Sequence, residues 1–186
     1  GLHENELIIV AARPAMGKTA FALNLAVNAA SKSDKAVALF NLEMSAEQLA
    51  MRMIAAAGGI EMNKVRTGRL EHNDWKKVNE AMSELSETNL YIEDNAGMTI
   101  SEIRAKCRRL ATSDKGLGLI VIDYLQLISG SSKNEGNRVQ EVSEISRSLK
   151  TMAMELKVPV VALAQLSRSV ELRENKRPIM SDLRES

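Results

Sequence analysis

The residues best suited to chemistry lie in Ala12-Arg13-Pro14-Ala15-Met16-Gly17-Lys18-Thr19-Ala20. This short turn follows an apolar run, Leu7-Ile8-Ile9-Val10-Ala11, and opens a helical pattern through Phe21, Leu23, Leu25 and Ala26. Strand, turn and helix in that order are what a phosphate-binding P-loop needs. The turn's N–H groups and the helix N-terminus face the phosphates, and the macrodipole favours their negative charge. Lys18 is expected to reach the β- and γ-phosphates of ATP, and the Thr19 hydroxyl to coordinate Mg²⁺. The usual pattern is G-x-x-x-x-G-K-[ST], and Ala12 stands where its first glycine would be. Alanine fits there only if φ stays negative. The competing reading is an ordinary strand–helix connection that happens to spell Gly-Lys-Thr.

Three more polar residues follow apolar runs of strand length. Asp123 ends Gly118-Leu119-Ile120-Val121-Ile122, the position from which a P-loop ATPase holds its Mg²⁺, although aspartate also closes strands as a turn residue. Glu43 lies between Ala36-Val37-Ala38-Leu39-Phe40-Asn41 and a helix starting near Ser45. Adjacent parallel strands deliver their carboxyl ends to one crevice. A carboxylate there can polarise the water that attacks a γ-phosphate, or simply favour the positive end of the next helix. Gln165, after Val158-Pro159-Val160-Val161-Ala162-Leu163-Ala164, can bond the γ-phosphate or the attacking water, or cap its strand.

The elements that position these residues alternate between strand and helix, which predicts an α/β fold with a mostly parallel sheet flanked by helices. Ser45 reads as an N-cap and Gly58-Gly59 as the end of that helix. Asn73 is expected to cap a helix carrying Trp75, Val78, Met82 and Leu85, with Trp75 in the core. Leu90-Tyr91-Ile92-Glu93 is a short strand, and Thr99-Ile100-Ser101-Glu102 a capping box. It opens a helix with Arg104, Lys106, Arg108 and Arg109, which reads as a solvated or subunit-contact face, with Cys107 as packing. Ser129 to Asn137 is a polar loop, and a helix from about Arg138 to Leu156 presents Val142, Ile145, Leu149, Met152 and Leu156 on one face.

Composition limits the partners. The 186 residues suit one domain with a real core, and no apolar run approaches the ~18–20 residues of a membrane span. A single cysteine excludes an internal disulfide or a cysteine metal cluster and suits the cytoplasm. The net charge is +1 and aromatics make up 3%, so nucleic acid would be held through phosphates rather than by stacking. The tail from Ser167 to Ser186 nearly balances Arg168, Arg173, Lys176, Arg177 and Arg184 against its acids. Repeated around a ring, such a loop would still give salt-sensitive contacts to a strand.

Five blocks together resemble the C-terminal motor domain of the bacterial replicative DNA helicase family, DnaB. They are Ala11 to Thr19, Leu42-Glu43-Met44-Ser45, Val121-Ile122-Asp123-Tyr124-Leu125-Gln126-Leu127, Glu144-Ile145-Ser146-Arg147-Ser148-Leu149-Lys150 and Asp182-Leu183-Arg184-Glu185-Ser186. The resemblance spans essentially the whole chain, and the family's own P-loop begins with alanine. It implies a RecA-like P-loop NTPase fold, a homohexameric ring with ATP sites between subunits, and 5′→3′ translocation on single-stranded DNA at the replication fork. By motif, Lys18 and Thr19 hold phosphates and Mg²⁺, and Asp123 is the Walker B acid. Glu43 is the catalytic glutamate and Gln165 the phosphate sensor, while Arg184 and Glu185 match the DNA-backbone loop.

The resemblance also implies that residues 1–186 form an incomplete motor domain. The arginine-finger strand, and an N-terminal domain that engages primase, are expected elsewhere in the parent, which also meets the helicase loader. Since an arginine supplied in trans is worth about 10³–10⁵ in rate, these residues alone should hydrolyse ATP poorly. Two other readings stay open. One is a different RecA-like ATPase, such as a recombinase or a phage or organellar helicase. The other is a nucleotide-binding interaction module without turnover.

Overall fold

A computed structural model of the chain describes residues 1–128, 138–166, 173, 175 and 177–183. Five apolar runs become strands: β1 (Leu7–Ala12), β2 (Ala36–Asn41), β3 (Leu90–Glu93), β4 (Leu117–Asp123) and β5 (Val160–Gln165). All pair in parallel in the order β1-β5-β4-β2-β3. Parallel neighbours need crossovers, and helices supply them. These are α1 (Lys18–Lys32), α2 (Ala46–Gly58), α3 (Met62–Thr67), α4 (His72–Ser86), α5 (Ile100–Ala111) and α6 (Arg138–Leu156). The α/β expectation holds, and every residue of β2 is buried, as a strand covered on both faces must be.

Alternation along the strands divides the core in two. Val37, Leu39, Leu119, Val121, Val161 and Leu163 meet α1 and α2 through Leu23, Ala26, Leu49 and Met53. Phe40, Ile120, Ile122 and Ala162 meet α5 and α6 through Ile103, Cys107, Ile145, Leu149 and Met152. Burial pushes the Cys107 thiol up to about 12, so it packs as a small apolar group. Register then places the polar strand ends: Ala12 lies beside Gln165, and Asn41 beside Asp123. Asn41, Asp123 and Gln165 continue the odd-numbered face that α1 covers. The sheet thus aims all three towards the start of that helix.

Three expectations need correction. The helix carrying Trp75 is entered at Glu71, not Asn73, because Asp74 accepts the Glu71 N–H at 3.1 Å. Lys64 Nζ then ties Glu71 and Asp74 together at 3.1 and 3.2 Å. Trp75 is 53% exposed rather than core. The α4 stripe that is covered runs through Val78, Ala81 and Leu85, while Trp75 and Met82 lie on its flank. Helical spacing predicts a face but not how wide a partner covers it. Finally, β5 starts at Val160, since Pro159 has no N–H and contributes only its carbonyl, to Ile120 at 3.1 Å.

The basic residues of α5 are largely used within the fold. Arg104 and Arg108 both bind Glu155 of α6, the latter at 2.6 Å, and they hold that carboxyl below its usual range. Lys106 pairs with Glu93. Among the described residues, no helix is long and apolar enough to cross a membrane.

This division of the core is testable by urea unfolding of the chain. Leu49→Ala, which empties a site with 0% exposure, is expected to lower stability by about 2–5 kcal/mol. Trp75→Ala is expected to cost less than about 1 kcal/mol. A loss at Trp75 as large as that at Leu49 would return the indole to the core.

Candidate functional site

In the turn after β1 the Met16 N–H bonds the Arg13 carbonyl at 3.4 Å, and no side chain caps the helix that follows. Ala12 belongs to the strand, in extended conformation, so its Cβ meets no penalty and the missing glycine is not needed. The chain reverses instead through Ala15, at φ 60°, and Gly17, at φ 81°. A left-handed alanine carries about 1–2 kcal/mol of strain, the kind of cost that binding sites retain. Gly17 is the N-cap of α1, with no side-chain hydrogen bond and no acid in the first turn. By contrast α2 and α5 each open with a complete capping box, Ser45 with Gln48 and Thr99 with Glu102. The first N–H groups of α1 are therefore left for an anion.

Behind that turn lies Asp123, with 0% exposure. Its Oδ2 accepts the Thr19 hydroxyl at 2.6 Å and the Asn41 side-chain amide at 3.3 Å. Its Oδ1 accepts no hydrogen bond and lies 3.6 Å from Lys18 Nζ. A buried carboxylate oxygen with no donor is rare enough to need a reason. Hard oxygens from Asp123 and Thr19 side by side are ligands that suit Mg²⁺, and they fit it here.

Lys18 Nζ also stands 4.0 Å from the centre of the Tyr124 ring. Burial draws the Lys18 ammonium below the ordinary lysine range, opposed by the charges of Asp123 and Glu43. An ammonium short of water gains most when phosphate oxygens reach it.

Glu43 is exposed above this cluster, two residues beyond β2. Two N–H groups at the start of α2 bond other side chains. At the start of α2 the Ala46 N–H goes to Asp94 at 2.6 Å, and the Gln48 N–H to Ser45 at 3.3 Å. Gln165 enters from the other side, with its main chain clamped by the Gln126 carboxamide. Gln126 Nε2 donates to the Gln165 carbonyl at 3.0 Å, and its Oε1 accepts the Gln165 N–H at 3.3 Å.

Ala12, Arg13, Pro14, Ala15, Lys18, Thr19, Ala20, Glu43 and Gln165 thus line one open cleft of about 350 Å³, with Asp123 behind it. Met16 is 62% exposed at the outer tip of the turn. An apolar groove between α1 and α2 is larger, about 460 Å³, but gathers no set of titratable groups. The smaller cleft is where the chemistry converges.

Sequence reasoning missed Asn41, Tyr124, Gln126 and Arg52, the last reaching the cleft from the second turn of α2. Asn41, Tyr124 and Gln126 stand within or beside recognised blocks, but only the sheet order reveals what they touch. Arg184 and Glu185 lie outside the described residues, as do the loop 129–137, Arg168 and Lys176. In the tail, Arg173 is bound to the 5%-exposed Asp182, which also accepts the Ile179 N–H at 2.7 Å.

Comparison with known proteins identifies the family. The profile of the DnaB-like helicase C-terminal domain matches residues 1–186. The chain is 61% identical to the replicative DNA helicase DnaC of Bacillus subtilis (strain 168), covering 100% of this chain and 41% of the relative. It is 60% identical to the replicative DNA helicase DnaB of Geobacillus stearothermophilus, again over 41% of that protein. Among solved structures, a DnaB-like replicative helicase, described with its interactions with primase, superposes with a TM-score of 0.94 at 43% identity. All of this chain is covered, and 45% of that one. The chain therefore spans about 41% of the length of the curated relatives it matches. With a RecA-like parallel sheet whose carboxyl edge carries the P-loop lysine and the buried aspartate, it belongs to the DnaB-like helicase C-terminal domain family.

Proposed function

We propose that this chain is the ATP-hydrolysing motor of a replicative DNA helicase and works within a longer parent protein. The observation supporting this reading is the convergence of Lys18, Thr19, Asp123, Glu43 and Gln165 on one sheet edge. The names of its relatives, replicative DNA helicases, point to the same activity.

In this reading the uncapped α1 N-terminus and Lys18 bind the β- and γ-phosphates of ATP. Glu43 orients and deprotonates the attacking water, its exposed carboxylate facing the cleft mouth. Gln165 hydrogen-bonds the γ-phosphate or that water, and its loss of a partner after hydrolysis is passed to the chain beyond β5. Thr19 and Asp123 are the ligands that would hold Mg²⁺. Bound there, the ion supplies positive charge to the phosphates.

In the parent we infer a homohexamer that encircles single-stranded DNA and moves 5′→3′, unwinding duplex at the replication fork in the bacterial cytoplasm. Arg184 and Glu185 are proposed to meet the DNA backbone. Primase and the helicase loader are proposed to engage other parts of the parent.

Two measurements test the proposal. The full-length parent should unwind a forked duplex with a 5′ tail when given ATP. Lys18→Ala should abolish this and lower kcat for ATP by about 10²–10³-fold, while Glu43→Gln should retain ATP binding and lose about 10²–10⁴-fold in kcat. A parent that hydrolyses ATP but separates no strands would turn attention to strand exchange by a recombinase.

The second measurement concerns the metal. Mg²⁺ should tighten ATP binding to the wild type in calorimetric titration. Asp123→Asn should reduce that gain by about tenfold or more. An undiminished Mg²⁺ effect would remove Asp123 from the ion's ligands.

A further inference from the structure

Three polar side chains are buried among the described residues, and two of them, Asn41 and Asp123, are direct neighbours across β2 and β4. Asn41 is 1% exposed, and its carboxamide is satisfied in two directions at once. Its Nδ2 donates to Asp123 Oδ2 at 3.3 Å. Its Oδ1 accepts the backbone N–H groups of Glu43 at 3.1 Å and Met44 at 2.7 Å. One rigid planar group therefore joins the buried acid on β4 to the turn that carries the exposed acid after β2. Main-chain pairing extends the same link, because the Leu42 N–H donates to the Asp123 carbonyl at 2.8 Å.

The bland account is that asparagine closes a turn with its own backbone, as it often does. That explains Oδ1 and leaves Nδ2 unexplained. Asp123 Oδ2 already has the Thr19 hydroxyl, so the second donor is not required to satisfy a lone oxygen. What two donors on Oδ2 do is fix the plane of the carboxylate. With Oδ2 held by both, Oδ1 can only point towards Lys18 and the cleft. The same amide fixes where the Glu43 backbone leaves the strand. Catalytic groups tolerate errors of only about 0.5 Å, and partners of metal-binding carboxylates are a common means of holding them.

We propose that Asn41 is a positioning residue for ATP hydrolysis, setting the Asp123 carboxylate and the Glu43 turn in one fixed relation. The proposal rests on the ATPase reading above. Asn41 is buried and does not line the cleft, and acts through the two acids. It predicts a defect in turnover rather than in nucleotide capture, which the α1 N-terminus and Lys18 perform.

Two variants of the full-length parent separate the halves of the clamp. Asn41→Asp has the same shape and still accepts the Glu43 and Met44 N–H groups, but it replaces the donor to Asp123 by a second carboxylate. Asn41→Leu removes both halves at similar volume. Steady-state ATPase assays would be read beside the melting temperature and the binding of a fluorescent ATP analogue without Mg²⁺.

The expected result is a fall in kcat of about tenfold for Asn41→Asp and more for Asn41→Leu. KM and Mg²⁺-free analogue binding should stay within about twofold of wild type, in variants that melt at lower temperature but are folded throughout the assay. Wild-type kcat in Asn41→Asp would overturn the proposal, since the amide would then only close its turn. A defect confined to KM, analogue binding or melting would overturn it as well, by showing a structural role. A wild-type parent that binds ATP without turning it over would instead overturn the ATPase reading, a result visible before either variant is made.

Discussion

A buried carboxylate is the constraint on which the rest depends. Asp123 has no access to water, and an unpaired charge in such a place would cost several kcal/mol. Lys18 and Thr19 from the start of α1 and Asn41 from the end of β2 converge to hold it. Removing any of them leaves the charge less supported. The arrangement is nevertheless incomplete, because one oxygen keeps no donor and the ammonium that faces it is itself short of water. A site that buries opposite charges without fully satisfying either is prepared for a ligand bearing both signs, and Mg²⁺ with a polyphosphate is such a ligand.

Everything else in the fold brings those groups to one edge. Parallel pairing sends every carboxyl end the same way, and the insertion of β5 between β1 and β4 puts Gln165 between the P-loop and Asp123. The two-residue period of the strands turns Asn41, Asp123 and Gln165 towards α1, while apolar residues on the same face anchor α1 and α2. The helices then differ in how they begin. α2 and α5 are capped by their own side chains, whereas α1 begins bare at Gly17. An N-terminus left without a cap is a small loss of stability that an incoming phosphate offsets.

Much of this was legible in the sequence because the signals were local. The run from Leu7 to Thr19 contains its own strand, turn and helix, and Ser45 and Thr99 announce their helices through residues three places on. Asp123 could be placed at a strand end, and so could Glu43 and Gln165, although spacing alone left the last two with competing roles. What stayed hidden depends on contacts between distant segments. Asn41 reads as an ordinary end of β2 until β4 is known to lie beside it, and Gln126 reads as a loop residue until β5 does. The pairing of Arg104 and Arg108 with Glu155 is equally invisible, and so was the exposure of Trp75. The left-handed turn fell on Ala15, a residue whose type gives no warning of it.

The most direct measurement is a structure of the parent with Mg²⁺ and a non-hydrolysable ATP analogue. Lys18 Nζ should be found away from Asp123 and within hydrogen-bonding distance of β- and γ-phosphate oxygens, with the phosphates against the N–H groups of Gly17 to Thr19. Asp123 should face the ion, directly or through water. A nucleotide bound elsewhere, with Lys18 still lodged against Asp123 and Tyr124, would contradict the assignment of this cleft.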